Sequence, residues 1–134
     1  MLIWSLENDF HKLNGVRIME NKKIYLAIPY NDLDPTVRQR RFEIANQVSA
    51  DLFNKGYNVF SPISHSHPIA VQCDLPKGYD FWSKWNATFI EWCDELHVIC
   101  IDGWRESGGV QDEIRIAERL GKEVRYIRDG YERM

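Results

Sequence analysis

The chain has 134 residues, 44% of them hydrophobic and 13% aromatic, which suits one globular domain around one core and excludes intrinsic disorder. Its 17 basic and 20 acidic residues give a formal charge of −3, so it lacks the basic excess that a nucleic-acid polymer requires, while a small anionic ligand held by a local cluster stays compatible. Three cysteines, Cys73, Cys93 and Cys100, with no C-x-x-C, argue against a disulfide framework or a zinc knuckle and for a reducing cytoplasm.

Residues 1–20 read as an appendage to a single domain over 21–134. Leu2, Ile3, Leu6, Phe10 and Leu13 fall at the spacing of one helix face, and Asn14-Gly15 stops it. The opening "MLIWSLENDFHKL" is too polar and acidic for a signal peptide, and no apolar run reaches the length of a membrane span. Met19 stands where an alternative start would.

"KIYLAIPY", 23–30, is a nearly continuous apolar run, the pattern of a strand buried on both faces, and Pro29 ends it. "NDLDPT" follows as a turn and helix entry, with Asp34 as N-cap and Pro35 at the first helical position. Val37, Arg41, Ile44, Ala45, Val48 and Leu52 then recur at helical spacing up to Gly56. "YNVFSPI" reads as a second strand, "SHSHP" as a loop and the stretch through "CDLPKGY" as looser chain. A helix is expected over 78–93, a third strand over 95–101, a helix over about 108–120 closed by Gly121, and a fourth strand in "KEVRYI". Strands alternating with helices predict a small doubly wound α/β domain, a parallel sheet of four to five strands flanked by helices. In such sheets ligands bind beyond the carboxyl ends of the strands, which selects the loops "PYND", "SPISHSHP" and "DGWRESGG".

One charge in the last helix stands out. At about 100° per residue, Glu113 falls near −60° from Val110, inside the arc of Ile114, Ala117 and Leu120. Asp112, Arg115 and Arg119 fall on the other side. Two readings compete. Glu113 sits at the edge of the packing face and reaches water, or it is a partly desolvated carboxylate in the crevice, suited to act as nucleophile or base. Ser107 reads as the N-cap, and a Ser hydroxyl beside Gly108 and Gly109 N–H groups at a helix start is also an anion site. Neither a Walker loop nor a dinucleotide fingerprint is present.

Taken together, "KIYLAIPY", "CDELHVICID" and "SGGVQDEIRIA" followed by "GKEV" resemble the nucleoside 2-deoxyribosyltransferase superfamily, over roughly residues 22–127. The "FSPISHSHPI" and "GWRESGGV" stretches are similar to a small branch of it, the DUF1937 type. The resemblance implies cleavage of the N-glycosidic bond between a base and a (deoxy)ribose, with no cofactor and no metal. Glu113 matches the nucleophile that forms a glycosyl-enzyme, resolved by water or a second base. Ser107, where nucleoside transferases tend to have Asp, matches the phosphate-contacting Ser of nucleotide 5′-monophosphate N-hydrolases. Tyr25 matches the Tyr of the first strand motif, with Tyr30 and Asn31 in the same pocket. Asn86 stands where the family usually has an Asp that holds or protonates the base. An amide cannot be a general acid, so Asp80, Glu106, His65 and His67 become the candidate substitutes.

The implied partner is a nucleotide or nucleoside, not a nucleic-acid polymer or a membrane, and the implied assembly is a homodimer or higher homo-oligomer. The alternative reading, favoured by Asn86, is a sensor that binds nucleotides without turnover. His65 and His67 read as loop-capping and substrate-contacting residues rather than metal ligands. His97 reads as a core or interface residue, and Trp104, in the crevice loop, as a base-stacking residue or equally as a lid or structural residue. "RQRR", 38–41, reads as a solvated face whose Arg38 approaches a phosphate.

Overall fold

The computed structural model describes residues 22–128 and, for the backbone alone, 11–13 and 16–18. Two short strands, β1 (His11–Leu13) and β2 (Val16–Ile18), pair antiparallel with His11 opposite Ile18. The helix expected in the appendage therefore does not extend to Leu13, and its first ten positions lie outside the described residues.

The domain proper starts with β3 (Lys23–Ala27), every residue of which after Lys23 is buried. Helix α1 (Pro35–Asn54) follows, capped by the Asp34 carboxylate, which accepts from Thr36 N at 2.9 Å, with Pro35 setting the first turn. Gly56 adopts φ 93° after its end, a left-handed value that glycine takes without strain. Strand β4 (Asn58–Phe60) leads into helix α2 (Pro62–Cys73).

This helix corrects the loop expected at "SHSHP". Ser61 caps it, accepting from Ser64 N at 3.3 Å, and Pro62 occupies the first turn. Pro68 lies inside it and lacks the N–H that would bond back one turn. Burial of Ile63, His67 and Ala70 at i, i+4 and i+7 holds the helix against its neighbours despite that loss. Helix α3 (Tyr79–Trp92), strand β5 (Glu95–Ile99), helix α4 (Gly108–Arg119) and strand β6 (Glu123–Ile127) complete the order.

Strands β4, β3, β5 and β6 lie side by side in that order, all parallel, with Tyr25 opposite Phe60 and Leu96, and Val98 opposite Tyr126. This is the doubly wound sheet expected from the alternation of elements. Period-two alternation divides the core. Tyr25, Ala27, Leu96 and Val98 face one layer with Ile90 of α3 and Val110, Ile114 and Ala117 of α4. Ile24, Leu26 and Ile99 face the other with Ile44, Ala45 and Val48 of α1 and Ile63 of α2. The order of connection reverses between β3 and β5, so a crevice opens beyond their carboxyl ends.

At the opposite end, buried Glu95 is matched by Lys22 at 3.1 Å, Arg125 at 3.4 Å and His97 at 2.9 Å. Two cations and a ring nitrogen offset the desolvation of that carboxylate and hold it below the usual range. His97 is thus a core residue, remote from the crevice. Among the described residues no helix is long and apolar enough to cross a membrane.

Candidate active site

The crevice between the β3 and β5 loops has a volume of about 970 Å³. Segments from every side converge on it: residues 28–32 after β3, the start of α2, the start of α3, and the loop 103–109 that enters α4. Glu113, one turn into α4, lies on its wall yet is only 5% exposed. The helical phase that put this carboxyl among apolar residues is therefore the phase the tertiary structure uses, with Val110, Glu113, Ile114 and Ala117 all buried.

Two neighbours hold Glu113 in place. The Tyr25 hydroxyl donates to Oε2 at 2.6 Å, and Asn86 Nδ2 donates to the same oxygen at 3.4 Å. Tyr25 is wholly buried and does not line the crevice; it stands behind Glu113 rather than in contact with a ligand. That corrects its expected place in the substrate pocket. The cause is strand phase, since Tyr25 points to the α3/α4 side of the sheet. Burial pushes the Glu113 carboxyl up to about 8; the Tyr25 hydrogen bond opposes this, the nearby Asp112 charge adds to it, and Asn86 opposes it. Asn86 is itself buried, and its Oδ1 has no hydrogen-bond partner.

Around this pair the α4 entry is built from backbone. Ser107 Oγ accepts from Val110 N at 3.2 Å, the N-cap contact expected from sequence. Ser107, Gly108 and Gly109 all line the crevice. Gly109 is there for space, because a Cβ at this position would lie 3.0 Å from Tyr79 Cδ1. Tyr79 in turn donates to Asp112 Oδ2 at 2.8 Å, and Arg115 holds the other Asp112 oxygen at 3.0 Å. Sequence reasoning missed Tyr79 and Asp112 as site residues; the second glycine after Ser107 was the local sign that something packs closely there.

Tyr30, Asn31 and His67 also line the crevice, as expected. His67 does so from a helix, with Nδ1 2.6 Å from the Tyr30 hydroxyl, Nε2 3.0 Å from Gln39 Oε1 and its ring stacked on Phe42. Burial lowers its pKa, and Arg38 and Lys77 add to the effect. His65, two positions earlier on α2, is exposed, stacks on Trp85 and does not reach the crevice. Two positions apart on a helix, about 200° around its axis, the two rings leave opposite faces of α2. Among the described residues no three His, Cys, Asp or Glu side chains converge as a metal site.

Trp104 takes the structural one of its expected roles and does not stack in the crevice. The loop after β5 has two sides. Gly103, Glu106 and Ser107 face the crevice, whereas Trp104 packs on Tyr126 of β6, ring centroids 5.6 Å apart, with Arg105 and Arg128 against its ring. Arg38 is also elsewhere, donating to the Asp32 carbonyl, and Arg41, one turn later, is the α1 cation on the crevice wall.

Gly103 sits at φ 93°, and a Cβ there would lie 2.8 Å from Arg41 Nη2. Gly103→Ala is expected to cost about 1–2 kcal/mol of stability from the left-handed backbone alone. A melting curve unchanged from the parent would contradict that.

A family model described as "Domain of unknown function (DUF1937)" matches residues 22–128. The chain belongs to this family. The DUF1937 domain also shares the fold of a solved structure, a "2-desoxiribosyltransferase from Leishmania mexicana", at TM-score 0.53 and 19% identity. The match covers 79% of this chain and 63% of that one, so the DUF1937 chain spans less than two thirds of the transferase. No curated protein matches the chain.

Proposed function

We propose that this DUF1937 domain cleaves the N-glycosidic bond of a nucleoside 5′-monophosphate or nucleoside, by hydrolysis or transfer, with Glu113 as nucleophile. The observation that carries the reading is the placement of Glu113. It is the buried carboxyl on the crevice wall, aligned by a 2.6 Å bond from Tyr25 and set one turn into a helix that begins beyond the strand ends. The ionised carboxylate attacks the anomeric carbon; the bond to the base nitrogen breaks and its electron pair leaves with the base. A water or a second base then attacks the same carbon and releases Glu113 as carboxylate.

The leaving base takes up a proton. Asn86 has none to give as an acid, while Asp80, Glu106 and His67 line the crevice. The Ser107 hydroxyl and the Gly108 and Gly109 N–H groups, at the positive end of α4, form the phosphate cradle. No cofactor or metal enters this scheme. The active species is a homodimer or higher homo-oligomer in the reducing cytoplasm, a setting consistent with three cysteines outside any disulfide.

A second reading is favoured by Asn86 and by the high pKa of Glu113: a nucleotide sensor without turnover. Chromatographic assay of base release from ribo- and deoxyribonucleoside monophosphates and their parent nucleosides separates the two. Release from monophosphates alone is the expected result. Release from nucleosides as well would remove Ser107 from the phosphate assignment. Ligand-raised melting temperature with no release would establish the sensor.

A further inference from the structure

Five carboxyl side chains line the crevice, Asp32, Asp80, Glu106, Asp112 and Glu113, against three cations, Arg41, Lys77 and Arg115. Two of those cations are already paired, Arg115 with Asp112 at 3.0 Å and Lys77 with Asp74 at 3.9 Å. Arg41 is held differently. Its Nη1 donates to the carbonyls of Tyr30 at 3.3 Å and Asn31 at 3.2 Å, and its Nη2 to the carbonyl of Asp102 at 3.3 Å. Those are all its partners among the described residues, and none is a carboxylate. Carbonyl oxygens fix the guanidinium and leave its full charge unneutralised. The Nε–H and one Nη2 proton remain to be matched.

The placement is specific. Arg41 belongs to α1 and reaches both the loop after β3 and the loop after β5, spanning the point where strand order reverses. Gly103 leaves the room for it, since any side chain there would begin 2.8 Å from Nη2. A half-buried, preorganised and uncompensated cation in an otherwise acidic crevice has one obvious complement, an anionic group on the ligand.

We infer that Arg41 is the charge partner of that group, and that the crevice takes a 5′-phosphorylated nucleotide in preference to the neutral nucleoside. This rests on the nucleotide reading above and makes it narrower. The Ser107–Gly109 entry supplies neutral donors; Arg41 supplies the charge that offsets the repulsion of the lining carboxyls.

The test measures Kd by calorimetry for nucleoside and 5′-monophosphate pairs of each base, and for inorganic phosphate. The parent, Arg41→Gln and Arg41→Lys are compared, with melting curves to verify folding. For the base that binds, the parent is expected to favour the monophosphate by at least about tenfold. Arg41→Gln brings that ratio near unity with the nucleoside Kd little changed, and Arg41→Lys keeps part of it. A binding preference for free phosphate equal to that for the monophosphate would reduce the site to a phosphate site and overturn the nucleotide preference. Equal weakening of both members of a pair would make Arg41 only a staple between loops and overturn the inference, as would an intact ratio in Arg41→Gln. Arg41-dependent monophosphate binding without base release would sink the glycosidase reading alone. No binding by any pair would sink both.

Discussion

If Glu113 is the nucleophile proposed above, Glu113→Gln is expected to abolish base release, by at least about 10³-fold, while the domain stays folded. The amide keeps the shape and can still accept from the Tyr25 hydroxyl, but it cannot form a bond to an anomeric carbon. The same substitution has a stability signature that does not depend on knowing the substrate. Burial raises the Glu113 carboxyl from 4.5 to about 8. Below pH 4.5 it is protonated folded and unfolded alike, and costs nothing extra. Between pH 4.5 and about 8 the unfolded chain ionises while the folded chain keeps its proton, so folding takes up a proton and stability falls as pH rises. Above about 8 both forms are ionised and the full cost is present. Glu113→Gln is free of that cost. Its stability relative to the parent is therefore expected to grow from pH 5 to pH 9 by on the order of 4 kcal/mol. Urea unfolding of the two proteins across that range reads it directly; a difference independent of pH would mean that Glu113 is not the buried acid the geometry describes. The activity of the parent carries the same group in the opposite sense. The proposed mechanism needs the carboxylate, so kcat/KM is expected to climb with pH toward a plateau above about 8.

Tyr25→Phe moves that profile. Tyr25 is 0% exposed, and its hydroxyl is 2.6 Å from Glu113 Oε2. It touches no part of the crevice, so it acts on a ligand only through Glu113. Its donated proton stabilises the charged form of the carboxyl; without it, burial acts with less opposition. The rising limb of kcat/KM is expected to shift to higher pH by about one unit, lowering the rate at pH 7 about tenfold, with recovery at higher pH. A uniform loss at every pH would show instead that the phenol fixes the orientation of the carboxylate. Binding of substrate, measured as KM, stays near the parent value, as befits a residue behind the wall.

Asn86 bears on both results. Its Nδ2 also donates to Glu113 Oε2, at a longer 3.4 Å, and the other end of its amide is an unmatched buried acceptor. An orphan of this kind costs stability and persists where the site has another use for the residue. The amide gives Glu113 a neutral neighbour, where a carboxyl at the same place would add a second buried negative charge and raise Glu113 further.

What the linear chain determined by itself is the set of features that depend on short-range geometry. Asp34-Pro35 caps and opens α1 because an N-cap oxygen and a fixed φ act within two residues. The apolar run at 23–27 had to be a strand buried on both faces, and the repeated alternation with helices required a parallel sheet. The inward turn of Glu113 followed from 3.6-residue periodicity alone, and Ser107 as cap followed from the glycines and apolar run after it. Other features were decided only by contacts between elements. Helix α2 carries Pro68 and a Ser/His run that locally favour a loop; Ile63 and Ala70, buried against its neighbours, override that preference. Periodicity says that Tyr25 is buried but not on which side of the sheet, and so not whether it faces a ligand or the back of a carboxylate. A turn of five residues has two sides, and only the packing of Trp104 on Tyr126 chooses which of them faces the crevice. Arg41 sits at a helical position like its neighbours Arg38 and Arg40. It becomes a fixed charge only because three carbonyls from two distant loops meet it, and that meeting exists in the tertiary structure alone.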